Sequence, residues 1–162
     1  MNEPIHPEVR IGHVHLRVAD LERATAFYRD VLGFNVTVLR DAYSFLSAGG
    51  YHHHIGLNTW RSEGGTPPPE GHTGLAHFAV LYPDRRELAR AVGRLLEHGH
   101  PINGAQDHGV SVAVYLSDPD GNGIELCYDR PRQEWFDEKG TPNIKAEPFD
   151  PRELLEGLKE PL

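Results

Sequence analysis

The chain has 162 residues, a formal net charge of −8 at pH 7 and a pI near 5.7. An acidic chain of this length suits one domain with a substantial core, and it excludes nucleic acid and anionic membranes as main partners. A single cysteine, Cys127, and the lack of any run approaching the ~20 apolar residues of a membrane span lead us to expect a cytoplasmic protein.

A repeat with a spacing of 64 residues organises the chain. Residues 11–20 (IGHVHLRVAD) align with residues 75–84 (LAHFAVLYPD), which places His13 over His77. Apolar residues alternate along both runs, and this predicts strands whose histidines point to the face opposite the core. Two copies of one unit therefore each offer a histidine at the same place.

A helix is predicted after the strand in each repeat. Apolar residues at helical spacing follow Asp20 and Asp84, and the two runs end at Gly33 and Gly99. We expect both aspartates to cap their helices, with Glu87 completing a capping box in the second. Each repeat thus reads as strand, helix and then further strands, which indicates an α+β fold.

The other predicted elements divide the chain into two repeats and a tail. In chain order they are strands at 36–39, 43–47 and about 51–60, a linker at 66–74, strands at 110–116 and 123–128 joined by a turn at 118–121, and a short helix at 151–158. We therefore predict one domain over residues 1–130, with repeats at about 9–65 and 73–130. The tail, residues 131–162, is expected to pack on this body.

Glu125 adds a carboxylate to the two histidines. Ile124 and Leu126 lie on the apolar face of its strand, so Glu125 lies on the other face. His13 and His77 occupy the same kind of face. Two histidines and one carboxylate with open positions beside them are the ligand set of non-haem Fe(II) oxygenases, and the set also suits Mn(II) or Zn(II).

The sequence resembles the vicinal oxygen chelate superfamily, which includes glyoxalase I, fosfomycin-modifying transferases, bleomycin-binding proteins and extradiol dioxygenases. The similarity spans roughly residues 9–130 and rests on the runs IGHVHLRVADLERATAFYRDVLGF, LAHFAVLYPD and YLSDPDGNGIEL. It implies two βαβββ modules that form a cup-like mixed β-sheet with helices on the outer face, and metal ligands at His13, His77 and Glu125. The fold alone does not fix the reaction, because the same cup hosts unrelated chemistries.

Within the superfamily, the run from 108 to 125 (HGVSVAVYLSDPDGNGIE) resembles the extradiol ring-cleavage signature. The resemblance implies that His108 and Tyr115 act in catalysis by hydrogen-bonding the substrate oxygens. Gln106 departs from the signature, which prefers a small or β-branched residue two positions before its histidine. By strand parity Tyr115 is expected to point into the cup.

A histidine cluster at 52–54 supplies the third expected feature. In the extradiol family the corresponding strand carries an acid–base histidine four residues before an apolar residue, and His53 stands four residues before Leu57. His54 is the alternative and is expected to contact the substrate. Histidine suits proton transfer because both of its protonation states are accessible near neutral pH.

These features predict an Fe(II)-dependent extradiol dioxygenase, with Mn(II) as the other candidate metal, that acts on O2 and a small aromatic diol as a homodimer. A glyoxalase I-like lyase or isomerase is one alternative, but Ile55 and Gly56 occupy the places where its fourth, carboxylate ligand is expected. A fosfomycin-type thiol transferase would need a cationic pocket. A non-enzymatic small-molecule binder should have lost the ligands His13, His77 and Glu125.

Overall fold

The structure is a computed structural model that describes residues 3–158. Its strands and α-helices are β1 (Val14–Arg17), α1 (Leu21–Ala26), β2 (Asn35–Leu39), β3 (Tyr43–Ser47), β4 (Ile55–Asn58), β5 (Phe78–Tyr82), α2 (Arg85–Glu97), β6 (Gly104–Asp107), β7 (Ser111–Ser117), β8 (Gly123–Asp129) and β9 (Glu147–Pro148). A π-helical turn, Phe27–Val31, follows α1, and 3₁₀ helices lie at Arg132–Glu134 and Pro151–Leu158. None of the helices in residues 3–158 has the length and apolar character needed to span a bilayer.

Each repeat builds its own sheet. The strand order is β1-β4-β3-β2 in the first module and β5-β8-β7-β6-β9 in the second. The first and last strands of each repeat pair in parallel, and the other pairs are antiparallel. The equivalent orders confirm the α+β class and the two βαβββ modules. In the described part of the chain, β1 and β5 each have one edge without a neighbouring strand.

Both helices begin where the aspartates predict. The Asp20 carboxylate accepts from the Arg23 N–H at 3.0 Å, and the Asp84 carboxylate accepts from the Glu87 N–H at 2.9 Å. Among the described hydrogen bonds, the Glu87 carboxylate contacts Arg90 at 2.9 Å and does not return to Asp84. The predicted capping box is therefore half formed, because an ion pair three residues along the helix takes the glutamate.

The strand predicted at about 51–60 is shorter than expected. It covers Ile55–Asn58, and His13 and His77 likewise stand one residue before β1 and β5. The histidine cluster lies in a bend before β4, where the ring of His54 accepts from the Ala48 N–H at 3.3 Å. The histidines therefore lie at the ends of strands, where side chains are more exposed than in the middle of a sheet.

The turn at 118–121 in the second module forms hydrogen bonds with the first module. The Tyr28 hydroxyl donates to the Asp118 carboxylate at 2.9 Å. The Asp120 carboxylate accepts from the Ala19 N–H at 2.9 Å and from the Arg23 guanidinium at 2.8 Å. One continuous apolar core, to which both helices and both sheets contribute, packs behind these contacts.

Residues 131–158 lie along the second module. β9 extends the sheet by pairing with β6, and the 3₁₀ helix Pro151–Leu158 packs on α2, where Leu154 is only 2% exposed. Trp135 donates its indole N–H to the Arg130 carbonyl at 2.7 Å, whereas Phe136 remains exposed. The apolar contact is therefore made by the terminal 3₁₀ helix.

Candidate metal and substrate site

His77 and Glu125 face each other on the second module. His77 directly precedes β5 and Glu125 lies in β8, the parallel neighbour of β5, and the His77 Nε2 lies 2.9 Å from the Glu125 Oε2. The side chain of Glu125 is 14% exposed and that of His77 is 43% exposed, so the pair opens to solvent on one side. An imidazole nitrogen and a carboxylate oxygen directed at one point form a donor set that divalent transition metals accept.

Tyr115 and His108 adjoin this pair. Tyr115 lies opposite Glu125 across β7 and β8, and its ring centroid is 5.7 Å from that of His77. Its hydroxyl oxygen is 2.7 Å from the His108 Nε2. Burial raises the pKa of Tyr115, and the nearby Glu125 carboxylate raises it further, so the hydroxyl keeps its proton at neutral pH.

His13 lies on the first module among other aromatic rings. The centroids of His13 and His53 are 4.5 Å apart, and His53 stacks on Phe45 at 4.4 Å with an interplanar angle of 15°. Desolvation lowers the pKa of His53, and the neighbouring His13 lowers it further. The predicted acid–base histidine is therefore held next to one predicted metal ligand.

His54 occupies a different position from His53. Its Nδ1 lies 3.1 Å from the Ser47 hydroxyl oxygen and accepts from the Ala48 N–H, and its ring lies 4.8 Å from that of Tyr51. These contacts engage one ring nitrogen and leave the other, Nε2, as the nitrogen that can meet a ligand.

An aromatic face on the first module was not singled out from the sequence. The ring of His15 lies 6.0 Å from Phe45 and 5.6 Å from Trp60, and Tyr43 lies 5.3 Å from Phe45. His15 follows His13 by two residues, so the period of a strand puts both on one face. The two-residue spacing of His13 and His15 was therefore a signal in the sequence. The contact of Trp60 with His15 had no such signal, because it depends on the turn after β4.

A cavity of about 830 Å³ is lined by residues of both modules, including His13, His54 and His77. Within residues 3–158, no three or more His, Cys, Asp or Glu side chains come together as a metal-binding group. The structure thus joins His77 to Glu125 and leaves His13 with His53. Of the three predicted ligands, His77 and Glu125 are in contact, and His13 and His77 both lie on the wall of this cavity.

Comparison with known proteins places this chain in a family. Residues 10–126 match the model of the Glyoxalase/Bleomycin resistance protein/Dioxygenase superfamily. The chain belongs to this superfamily. The resemblance seen in the sequence is therefore confirmed.

Two dioxygenases and one lyase are similar to this superfamily member. Catechol-2,3-dioxygenase of Bacillus subtilis (strain 168) is 44% identical over 153 residues, which cover 94% of this chain and 53% of that protein, so the chain spans about half of this relative. Biphenyl-2,3-diol 1,2-dioxygenase 3 of Rhodococcus globerulus is 32% identical over 157 residues, which cover 93% of this chain and 82% of that protein. The crystal structure of lactoylglutathione lyase from Agrobacterium tumefaciens has a TM-score of 0.59 at 27% identity, covering 76% of this chain and 96% of its own.

Cys127 lies two residues after Glu125 and brings a sulfur atom, a soft metal donor, near the site. Its thiol is close to the Val80 carbonyl, at 3.8 Å, and only 6% of the residue is exposed. Burial raises the pKa of Cys127 to about 12, with the charges of Glu125 and Asp129 adding to the effect. The thiol is therefore protonated at neutral pH in the structure, which sets it apart from the imidazole and carboxylate donors.

Proposed function

We propose that this protein is a metal-dependent extradiol dioxygenase that inserts O2 into a catechol-type substrate. The observation that carries the proposal is the 2.9 Å contact between His77 and Glu125, with the Tyr115 ring beside it. Its similarity to two ring-cleaving dioxygenases supports this reaction. We propose a cytoplasmic location as well, since a single buried cysteine suits a reducing compartment.

His13, His77 and Glu125 are the residues that would hold the metal, Fe(II) or alternatively Mn(II). When bound, such a metal supplies a common centre at which a chelating diol and O2 can react. In the overall reaction, the carbon–carbon bond beside the diol breaks and both oxygen atoms of O2 enter the ring-opened product.

The side chains around this centre would bind and orient the diol. Tyr115 and His108 are proposed to hydrogen-bond the substrate oxygens, since their polar atoms meet beside Glu125. His53 is proposed as the proton-transfer group because stacking on Phe45 fixes its ring. His54, on the cavity wall, is proposed to contact the substrate.

The aromatic face of the first module would receive the ring of the substrate. Phe45, Tyr43 and Trp60 form its apolar surface, and Trp60 is 61% exposed. A flat aromatic diol covering these rings would remove apolar area from water and exclude solvent from the reacting atoms.

We further propose that a homodimer completes the site. His13 adjoins the open edge of β1, and His77 adjoins the open edge of β5. Ile11, Leu75 and Leu81, on the segments that bear these edges, are all more than half exposed. Pairing of the β1 edge of one copy with the β5 edge of another would cover this surface and bring His13 of one copy to the His77–Glu125 pair of the other.

Metal content tests the ligand set. His13→Ala, His77→Ala and Glu125→Ala should each bind much less Fe(II) than the wild type while unfolding in the same range, because the three side chains lie outside the apolar core. His72→Ala, in the exposed linker, is the matched control. Full metal occupancy in all three site variants, by elemental analysis, would rule out this ligand set.

Complementation tests whether the site is shared. Co-expressed His13→Ala and Glu125→Ala chains that pair at random would form mixed dimers about half of the time, each with one intact site, so the mixture should recover about a quarter of wild-type activity. A site contained within one chain would leave the mixture inactive.

A glyoxalase I-like lyase or isomerase is the second candidate, because a lactoylglutathione lyase has the same fold at 27% identity. Ile55 and Gly56 are buried in β4 and supply no carboxylate where that enzyme would need one. Isomerisation of a thiol adduct consumes no O2, so an oxygen electrode separates the two reactions.

A further inference from the structure

The C-terminal tail crosses the second module next to His108. The Lys145 N–H donates to the His108 carbonyl at 3.1 Å, and the His108 Nδ1 lies 3.2 Å from the Lys145 carbonyl oxygen. A carbonyl oxygen can only accept a hydrogen bond, so the Nδ1 of His108 carries a hydrogen. The tail backbone therefore selects the tautomer of this ring.

The other nitrogen of His108 faces the proposed site. In a neutral ring that carries its hydrogen on Nδ1, the Nε2 is an acceptor, so the Tyr115 hydroxyl donates to it across 2.7 Å. The hydrogen of Tyr115 is then directed at His108, and the oxygen lone pairs of Tyr115 can accept from a substrate hydroxyl. The direction of this bond would reverse if His108 carried its hydrogen on Nε2.

We propose that residues 143–147 of the tail form a positioning segment that sets the tautomer of His108 and thereby turns Tyr115 into an acceptor for the substrate hydroxyl. The substrate half of this inference rests on the proposed function. The tautomer half rests only on the contacts of Lys145 with His108 and can be measured without any substrate.

Close packing holds the segment in place. Gly109 has a φ of +78°, and a Cβ added there would overlap the Asn143 carbonyl oxygen. The Lys145 ammonium lies 3.4 Å from the Asp107 carboxylate and 2.7 Å from that of Glu147. Any side chain at residue 109 must therefore displace the Asn143 carbonyl, two residues before Lys145 in the same segment.

Gly109→Ala is the informative variant, and Gly140→Ala is its matched control. Gly140 has a φ of +77° and nothing within 4 Å of an added Cβ, so the control introduces the same left-handed backbone strain without the overlap. Both variants are compared with the full-length wild type.

The tautomer is read from nitrogen-15 NMR of the histidine rings. Zn(II) is added in place of Fe(II), because Zn(II) keeps the sample diamagnetic. His108→Gln identifies the signal. We expect the Nδ1–H form in the wild type and in Gly140→Ala, and its loss in Gly109→Ala. An Nε2–H ring in the wild type would overturn the proposal outright, even if Gly109→Ala failed to fold.

Kinetics with catechol test the consequence for the substrate. Gly109→Ala should raise KM and lower kcat/KM roughly tenfold per folded molecule, the effect of one misdirected hydrogen bond, while Gly140→Ala keeps wild-type values. A purely structural role would lower Tm and leave both constants unchanged. If the wild type cleaves no member of a catechol panel, the proposed function fails and the NMR result still decides the role of the segment.

Discussion

Removal of the Asp118 carboxylate should destabilise the fold more than any other single change in the 118–121 turn. Asp118 is 5% exposed and accepts four hydrogen bonds, from the Tyr28 hydroxyl, the Asp120 N–H, and the backbone and side-chain N–H groups of Asn122. In Asp118→Ala the fully buried Tyr28 hydroxyl loses its partner, at about 1–3 kcal/mol, and the turn loses its acceptor, at about 1–2 kcal/mol more. We expect a loss of about 2–5 kcal/mol from a total of roughly 5–15 kcal/mol.

Urea unfolding followed by circular dichroism measures this loss, and Tyr28→Phe is the matched control. Tyr28→Phe deletes one of the four bonds and leaves Asp118 bonded within its turn, so we expect about 1 kcal/mol. In the Tyr28→Phe background, Asp118→Ala should cost less than it does alone, because the buried hydroxyl is already gone. Equal effects of the two single variants, or a loss below about 1 kcal/mol for Asp118→Ala, would refute the reasoning.

Three further predictions follow from single contacts. Burial alone would raise the pKa of Asp107, but a backbone N–H and the Arg130 guanidinium at 2.6 Å together hold it below its usual value. This carboxylate therefore stabilises the fold fully above the unfolded pKa of roughly 3.9, and the contribution disappears as the pH falls through the lower native pKa, so Asp107→Asn should flatten the acid limb of a urea-unfolding series. The buried Cys127 should react slowly with a disulfide reagent in the native protein and fast in urea, and fast native labelling would contradict its burial. His53→Gln should retain iron but lose turnover by about 10²–10⁴-fold, with a smaller loss in His54→Gln, and the reverse order in steady-state assays would transfer the acid–base role to His54.

Local sequence signals accounted for much of the fold. The alternation around His13 and His77 predicted two strands, and β1 and β5 lie inside the two runs. Asp20 and Asp84 marked the helix starts, because a cap depends on neighbours only three residues away. The repeat then implied the equivalent strand orders of the two sheets. The capping box at Glu87 differed from the expectation because a local ion pair competed for the same carboxylate.

The parts of the site that the sequence left open depend on contacts between distant segments. The resemblance implied that His77 and Glu125 share a site, but their contact depends on the parallel register of β5 and β8, which no local pattern reveals. The contact of Lys145 with His108 is made largely through the backbone, so residue types carry no trace of it, apart from the glycine at 109. In the sequence, such a contact is visible only as a position that requires a small residue, here Gly109.

Cleavage of catechol under oxygen-18 gas by the Fe(II)-loaded protein tests the central claim most directly. The account predicts uptake of one O2 per catechol, a yellow ring-opened semialdehyde that carries both labelled atoms, and loss of this activity in Glu125→Ala with retention in His72→Ala. Ring cleavage between the two hydroxyl-bearing carbons, or isomerisation of a thiol adduct with no O2 consumed and no reaction with any catechol, would contradict it.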